Sequence, residues 1–439
     1  MAFLFLSIAT AALAGLLFGF DTAVIAGVTG DLRTVMNLSP GAVGVTVSSA
    51  LVGTCVGALG AGGPGDRYGS RDCLRVMALL YLISGVGAAL AWDWPSLVFF
   101  RFIGGLGIGG SSVLAPVYIA EIAPPQRRGA LVGLFQMNIV LGILVAYLSN
   151  YLVGGLDLGD AEWRWKLAVT AVPSAVFLIL LAFIPNSPRW LAVKGRVEEA
   201  ATVLRRMGAP AGDTAVRALA AGAGAAGAGQ EAGRLSWRHH RRPILLAVGL
   251  ALFNQFSGIN AILYYLNDIF AAAGFAKVSA DLQSVAVGAT NLAFTGIAMT
   301  VIDRAGRRTL LLTGAVGMTL SLAAAALILS GMGSAAYLIW ALLGFIASFA
   351  FSQGAVIWVY IAEIFPTAVR ARGQSLGSAT HWLANAFLSG VFPLVATYSK
   401  GAPFYLFAAM MALQFVVVLL FFPETKRVSL EEMAGQLES

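Results

Sequence analysis

Charge is what this sequence has least of. Only 11% of its 439 residues are Asp, Glu, Lys or Arg, where a typical soluble domain carries about 25%. That shortage argues against a water-soluble enzyme or binding module, and the formal net charge of +7 is too thinly spread to make a nucleic-acid surface. Cysteine is nearly absent. Cys55 and Cys73 have neither the spacing of a metal site nor the number for a disulfide framework, and Cys55 reads as a small buried hydrophobe. There are three histidines, His239, His240 and His381, and no spaced carboxylates accompany them as a catalytic or metal cluster. No basic segment and no small-residue cleavage site precede the first apolar run, so no removable signal peptide is expected.

Hydrophobic residues make up 59% of the chain, and mean hydropathy is +0.82. Apolar runs of roughly 20 residues recur from end to end, the pattern of a polytopic helical membrane protein. The expected fold is an all-α membrane protein of twelve transmembrane helices. The spans are placed near 3–30, 41–63, 73–92, 95–120, 129–154, 165–184, 243–270, 281–302, 309–331, 335–362, 372–397 and 402–422. This divides the chain into an N-terminal six-helix half (1–184), a linker with short helices (185–242), a C-terminal six-helix half (243–422) and a tail (423–439). Within the linker, Val197 to Met207 reads as an amphipathic helix and 218–233, almost only Ala and Gly, as a flexible stretch. Arginines crowd the loops after spans two, four, six, eight, ten and twelve, so both termini and the linker are expected on the cytoplasmic side.

The two halves repeat each other. Asp66-Arg67-Tyr68-Gly69-Ser70-Arg71 returns as Asp303-Arg304-Ala305-Gly306-Arg307-Arg308. Tyr118-Ile119-Ala120-Glu121-Ile122 returns as Tyr360-Ile361-Ala362-Glu363-Ile364, each followed by basic residues at Arg127, Arg128 and Arg370. Parallel repeats of this kind are a transporter plan. Their charged turns suit a gate of ion pairs made in one conformational state and broken in the other, or simple interfacial anchoring.

Three constellations sit inside spans. Asp21 is the only charge in the first apolar run, and an unpaired carboxylate there is expensive. Arg101, inside span four, is its candidate partner, as a proton switch or a static pair. Gly105, Gly107 and Gly110 fit GxGxxG, but no strand precedes them, so close helix packing is expected instead of dinucleotide binding. Span seven carries Asn254, Gln255, Asn260, Tyr264 and Tyr265. Gln255 and Asn260 lie five apart, off one ideal helical face, and a break near Gly258 would bring them together. Gln136, Asn291, Gln353, Trp358, His381, Trp382 and Asn385 add donors, acceptors and rings in other spans. A neutral set with aromatic surfaces suits a polyhydroxylated neutral solute, with polar glue between helices as the plainer alternative.

The stretches GFDTAVIAG (19–27), DRYGSR, PVYIAEIAPPQRRG (116–129), PNSPRWL (185–191), NQFSGINAILYY (254–265), DRAGRR and PETK (423–426) together resemble the sugar porter family of the major facilitator superfamily. The resemblance implies two pseudo-symmetric six-helix halves around a central cavity, and proton-coupled import of a hexose or pentose by alternating access. The alternatives are a facilitative uniporter or a symporter of a polyol such as myo-inositol. It implies proton coupling at Asp21 and Arg101. The implied sugar positions are Phe18, Gln136, Asn254, Gln255, Asn260, Tyr264, Asn291, Trp358, His381, Trp382 and Asn385. The implied cytoplasmic gate holds Asp66, Arg67, Arg71, Glu121, Arg127, Arg128, Arg189, Asp303, Arg304, Arg307, Arg308, Glu363 and Arg370. No cofactor beyond the proton, no metal and no catalytic residue is implied. The partners are a small neutral sugar, protons and the bilayer, for a carrier acting as a monomer in the cytoplasmic membrane. The chain departs from the family pattern at Asn186, where an acid is usual, and at Ala355, where a proline would loosen span ten.

Overall fold

Apolar runs of helical length become long helices in the computed structural model, which describes residues 2–124, 127–208, 216, 235–366, 369–426, 428 and 433. In chain order they are α1 (Ala2–Val24), α2 (Thr29–Val35), α3 (Pro40–Tyr68), α4 (Ser70–Ala89), α5 (Trp94–Ile122), α6 (Arg128–Gly154), α7 (Glu162–Ala168), α8 (Ala171–Phe183), α9 (Pro188–Val193) and α10 (Val197–Met207). After the linker come α11 (Trp237–Phe256), α12 (Ile259–Tyr264), α13 (Leu266–Ala272), α14 (Lys277–Ala305), α15 (Arg307–Leu327), α16 (Leu338–Phe351), α17 (Gln353–Ile364), α18 (Arg370–Tyr398) and α19 (Ala402–Phe421). Among the described residues, eleven helical stretches are long and apolar enough to cross a membrane. The eleventh expected span, α18, has the length at 29 residues but not the apolarity, because Arg370, Arg372, Gln374, His381 and Asn385 fall within it. The protein is a multi-pass, all-helical membrane protein. The amphipathic helix expected in the linker is α10, while the Ala/Gly stretch lies outside the described residues.

The chain forms two compact units. Unit 1 holds residues 1–22, 49–146 and 163–231; unit 2 holds 23–48, 147–162 and 232–439. In unit 1, α4 packs along α5 and α8. The GxGxxG glycines serve that packing: a methyl on Gly105 would meet the Ala50 carbonyl oxygen of α3 at 2.0 Å, and one on Gly110 would meet Met77 of α4. Cys73 is buried and Cys55 only half-buried, both as free thiols. In unit 2, α15 packs along α16 and α19, and α11 along α18.

The sequence repeat is also a structural one. Gly69 and Gly306 have φ of 90° and 94°, a region that side chains rarely enter, and each joins two long helices. Tyr118 donates to the Pro185 carbonyl at 2.8 Å, and Tyr360, its counterpart, to the Pro423 carbonyl at 3.1 Å. Each ring therefore ties a YIAEI helix to the Pro-containing segment that follows the sixth span of its half.

Two spans are broken. Span seven stops at Phe256, turns through Gly258 (φ 82°), runs as α12, and turns again at Tyr265 before α13. The expected break near Gly258 is present. Span ten is also broken, despite Ala355 standing in place of a proline. Ser352, with φ −118° and ψ −92°, separates α16 from α17 and bonds back to the Ser348 carbonyl at 2.6 Å. A hydroxyl competing for a backbone acceptor loosens the helix here.

Candidate functional site

Asp21 lies on the last turn of α1, which unit 1 buries against α6. There, methyls on Gly19 and Gly142 would strike the Ile139 and Leu16 carbonyls. Arg101 reaches it from α5, whose start is fixed by Asp93: that carboxylate accepts from the Ser96 N–H at 2.9 Å while Ser96 Oγ accepts from the Asp93 N–H at 3.2 Å. Arg101 Nη1 donates to Asp21 Oδ1 at 2.8 Å. The residues are 4% and 6% exposed, so each charge depends on the other for compensation. Arg101 Nε is buried without a protein partner. Tyr81, close enough to feel the Asp21 charge, has no signal in sequence, being one aromatic among many in span three. Phe18 and Gln136 are half-buried in the same unit.

In unit 2 the broken seventh span assembles an amide cluster. Gln255 Nε2 donates to Asn254 Oδ1 at 3.1 Å and faces both ring nitrogens of His381 at 3.0–3.1 Å. Gln255 Oε1 accepts from Asn260 Nδ2 at 3.0 Å, a bond that the turn at Gly258 makes possible across five residues. The Gln255 amide nitrogen is thus engaged on both sides, while its oxygen keeps a second lone pair for another donor. His381 is held between two indoles, with centroids 5.1 Å from both Trp358 and Trp382. Asn385 Nδ2 donates to Tyr264 Oη at 3.3 Å and its oxygen accepts from Ser389 at 3.0 Å. Asn291 is buried on α14. Gln353 pairs instead with Gln414, away from this cluster. The arrangement offers amide donors and acceptors beside aromatic faces, and among the described residues these contacts include no cation to neutralise a charged ligand.

The arginine-rich ends carry a further set of contacts in each unit. In unit 2, Arg307 forks onto Glu363 at 3.1 and 2.9 Å, and Thr425 donates to the same carboxylate at 2.6 Å. Glu424 caps α15, accepting from the N–H groups of Arg307 and Arg308 at 2.8 and 3.1 Å, where a carboxylate also meets the positive end of the helix dipole. Arg308 donates to the Leu419 carbonyl and Lys426 to that of Arg304. In unit 1, Arg71 forks onto Asp72 at 2.9 and 3.1 Å, Arg75 joins it at 2.9 Å, and Asn186 Nδ2 donates to Asp72 at 3.0 Å. Asp66 contributes its carbonyl, accepting from Trp190 Nε1 at 3.0 Å. Glu121 has a buried oxygen with no protein partner, and Arg189 and Arg370 engage neighbours. Arg67 lies over the Tyr68 ring, and Arg127 and Arg304 are exposed. The side chains of Arg128 and Asp303 lie outside the described residues.

The repeat explains why sequence reading missed Asp72 and assigned no role to Glu424. Asp72 aligns with Thr309, and Asn186 with Glu424. One half keeps its acid on the helix and an amide in the loop; the other has its acid in the loop and a threonine on the helix. A motif search for the same residue at the same place finds neither.

The family model described as sugar (and other) transporter matches residues 7–437. The chain belongs to that family. This sugar porter is 36% identical over 468 residues to the D-xylose-proton symporter of Escherichia coli K12, covering 98% of this chain and 94% of that one. It is 37% identical over 447 residues to the arabinose-proton symporter of Bacillus subtilis, covering 99% and 95%. The inward-open structure of the Escherichia coli xylose transporter matches it with a TM-score of 0.88 at 34% identity, over 99% of each chain. Membership makes the protein a transporter of the major facilitator fold, not an enzyme.

Proposed function

We propose that this sugar porter is a proton-coupled symporter that imports a neutral hexose or pentose by alternating access across the cytoplasmic membrane. It acts as a monomer with both termini in the cytoplasm. The observation that carries the reading is the buried pair of Asp21 and Arg101 at 2.8 Å. A carboxylate this deep in an apolar helix bundle either pairs with its cation or takes up a proton, and a group that alternates between those states carries one proton per cycle. The two named relatives are proton symporters of xylose and arabinose, which supports both the coupling and the substrate class.

In this scheme the Gln255 cluster, with Phe18, Gln136 and Asn291, binds the sugar. Sugar hydroxyls exchange with the Asn254, Asn260 and His381 contacts of Gln255, while Trp358 and Trp382 offer faces to its C–H groups. Protonation of Asp21 releases Arg101 and lets the loaded carrier turn, and tighter sugar binding must favour the protonated state by the same factor. The Arg307–Glu363 and Arg71–Asp72 contacts, with Glu121, Arg127, Arg128, Arg189, Asp303 and Arg370, form the cytoplasmic gate.

Proteoliposomes with an imposed pH difference and membrane potential test this, with labelled glucose, xylose, galactose, fructose and myo-inositol in competition and external pH followed alongside. Sugar uptake accompanied by external alkalinisation is expected, and Asp21→Asn should bind and exchange sugar without concentrating it. Uptake without proton movement in the wild type would make the protein a uniporter.

A further inference from the structure

At the arginine-poor end of unit 2, five charged side chains meet that no motif singled out. Arg33 of α2 forks onto Asp268 of α13, with Nη1 to Oδ1 at 3.2 Å and Nη2 to Oδ2 at 3.3 Å. Lys277, the first residue of α14, places Nζ 2.7 Å from Asp31 Oδ1 on α2 and 3.1 Å from Glu162 Oε2 at the start of α7. Burial would lower the Lys277 ammonium, but the hydrogen bonds and charges of Asp31 and Glu162 outweigh it and raise it. The acid side chains are largely shielded, at 10–19% exposure, so these are not the freely solvated pairs that contribute nothing. In sequence, α2 continues span one, α13 is the last piece of the broken span seven, and α14 begins span eight. The contacts therefore bolt α13, beyond two turns of the chain at Gly258 and Tyr265, onto the end of span one.

Beside the bolt lies a cavity of about 260 Å³, whose walls include Arg33, Asp268, Tyr265, Phe392, Lys400 and Phe404. It is open on one side and borders α13 along Asp268, Ile269 and Ala272, so it gives α13 room to swing. Lys400 closes the far end of α13 by donating to the Ala272 carbonyl at 2.7 Å.

We propose that Arg33–Asp268 and Lys277–Asp31/Glu162 form an external charge latch that holds α13 shut and sets how readily the carrier opens to the outside. The proposal rests on the alternating-access reading, in which sugar arriving from outside requires α13 to leave α2. Each pair must then break once per cycle, so the five side chains are positioning residues for transport. None of them contacts the sugar cluster among the described residues.

Labelling of the full-length carrier in proteoliposomes tests the latch. Cys55 and Cys73 are replaced by alanine, and Ser389→Cys, a fully buried position beside the Tyr265 hydroxyl contact, reports opening to an impermeant maleimide added outside. Asp268→Asn and Lys277→Gln should each speed labelling roughly three- to tenfold. The exchanged pair Arg33→Asp with Asp268→Arg should return within about twofold of the parent, and sugar affinity by calorimetry of the latch variants made without the Ser389→Cys reporter should stay within about twofold. Unchanged labelling in both single variants, or an exchanged pair that labels as fast as the single variants, overturns the proposal. Labelling depends on neither the identity of the sugar nor proton coupling. Faster labelling in a protein that moves no sugar would therefore leave the latch standing and remove the symport reading.

Discussion

Removing Arg101 tests whether the buried pair is a coupled unit. An exposed ion pair contributes at most about 1 kcal/mol, but exposures of 4% and 6% put Arg101 and Asp21 in the buried regime. There, deleting one partner costs about 3–5 kcal/mol, because the other charge is left uncompensated. Arg101→Leu should lose that amount. Asp21→Asn leaves the Arg101 guanidinium, which cannot give up its charge, buried without a counter-charge, and should also lose about 3–5 kcal/mol, eased only by the hydrogen bond its oxygen keeps. The double variant carries no buried charge at this site and should lie within about 1.5 kcal/mol of the parent, since a neutral, well-filled site often matches an ion pair. For a chain of this size, each kcal/mol is worth roughly 1–2 °C of melting temperature by extension of the scaling for smaller domains. Arg101→Leu should therefore melt roughly 3–10 °C below the parent in detergent, with the double variant recovering most of the difference. Two single losses that simply add would refute the coupling and with it Asp21 as a site whose charge depends on Arg101.

Gln255→Ala leaves Asn254, Asn260 and His381 without their shared partner and should weaken sugar binding by roughly 1–3 kcal/mol in calorimetry, while Trp358→Ala should weaken it through the lost ring face. Gly258→Ala should destabilise the carrier by about 2–5 kcal/mol in thermal melts, since φ is 82° and the new methyl would meet the Phe407 ring at 2.2 Å. Asn186→Glu sets a second carboxylate against Asp72 and should cost about 1–2 kcal/mol; adding Asp72→Thr copies the arrangement of the other half and should restore the melting temperature. External pH should leave the Lys277 contacts of the latch intact across the physiological range. A raised lysine contributes fully below its ordinary value of 10.5 and is lost only as pH climbs past the raised one, so labelling of Ser389→Cys should show no alkaline rise before that.

The parts of this molecule legible in sequence are those where a local pattern violates its surroundings. A lone carboxylate in an apolar run announced Asp21, and a lone guanidinium in span four announced its partner. The mismatch between Gln255 and Asn260 on an ideal helix called for the turn that Gly258 supplies. Asp72 stayed hidden because an acid among arginines in the first turn of a helix is ordinary; its weight comes from Asn186, 114 residues away. The break at Ser352 lacked the usual proline marker in sequence, because here a serine bonding back along the helix loosens it instead. The latch was invisible for a third reason. Arg33 and Asp268 are 235 residues apart, each is unremarkable beside a membrane surface, and only the folded path of span seven brings them together.

The polarity of α18 bears on how the chain is made. A helix whose centre carries His381 and Asn385 gains little by entering lipid alone, since each polar group needs a partner that lipid does not offer. The partners are on span seven: Gln255 for His381 and Tyr264 for Asn385. Synthesis runs from the N-terminus, so span seven is already in the bilayer when α18 leaves the ribosome. The amides of the proposed sugar site thus act first as a receptor for an incoming helix, and a variant that strips them should be inserted less completely before it is ever asked to carry a substrate.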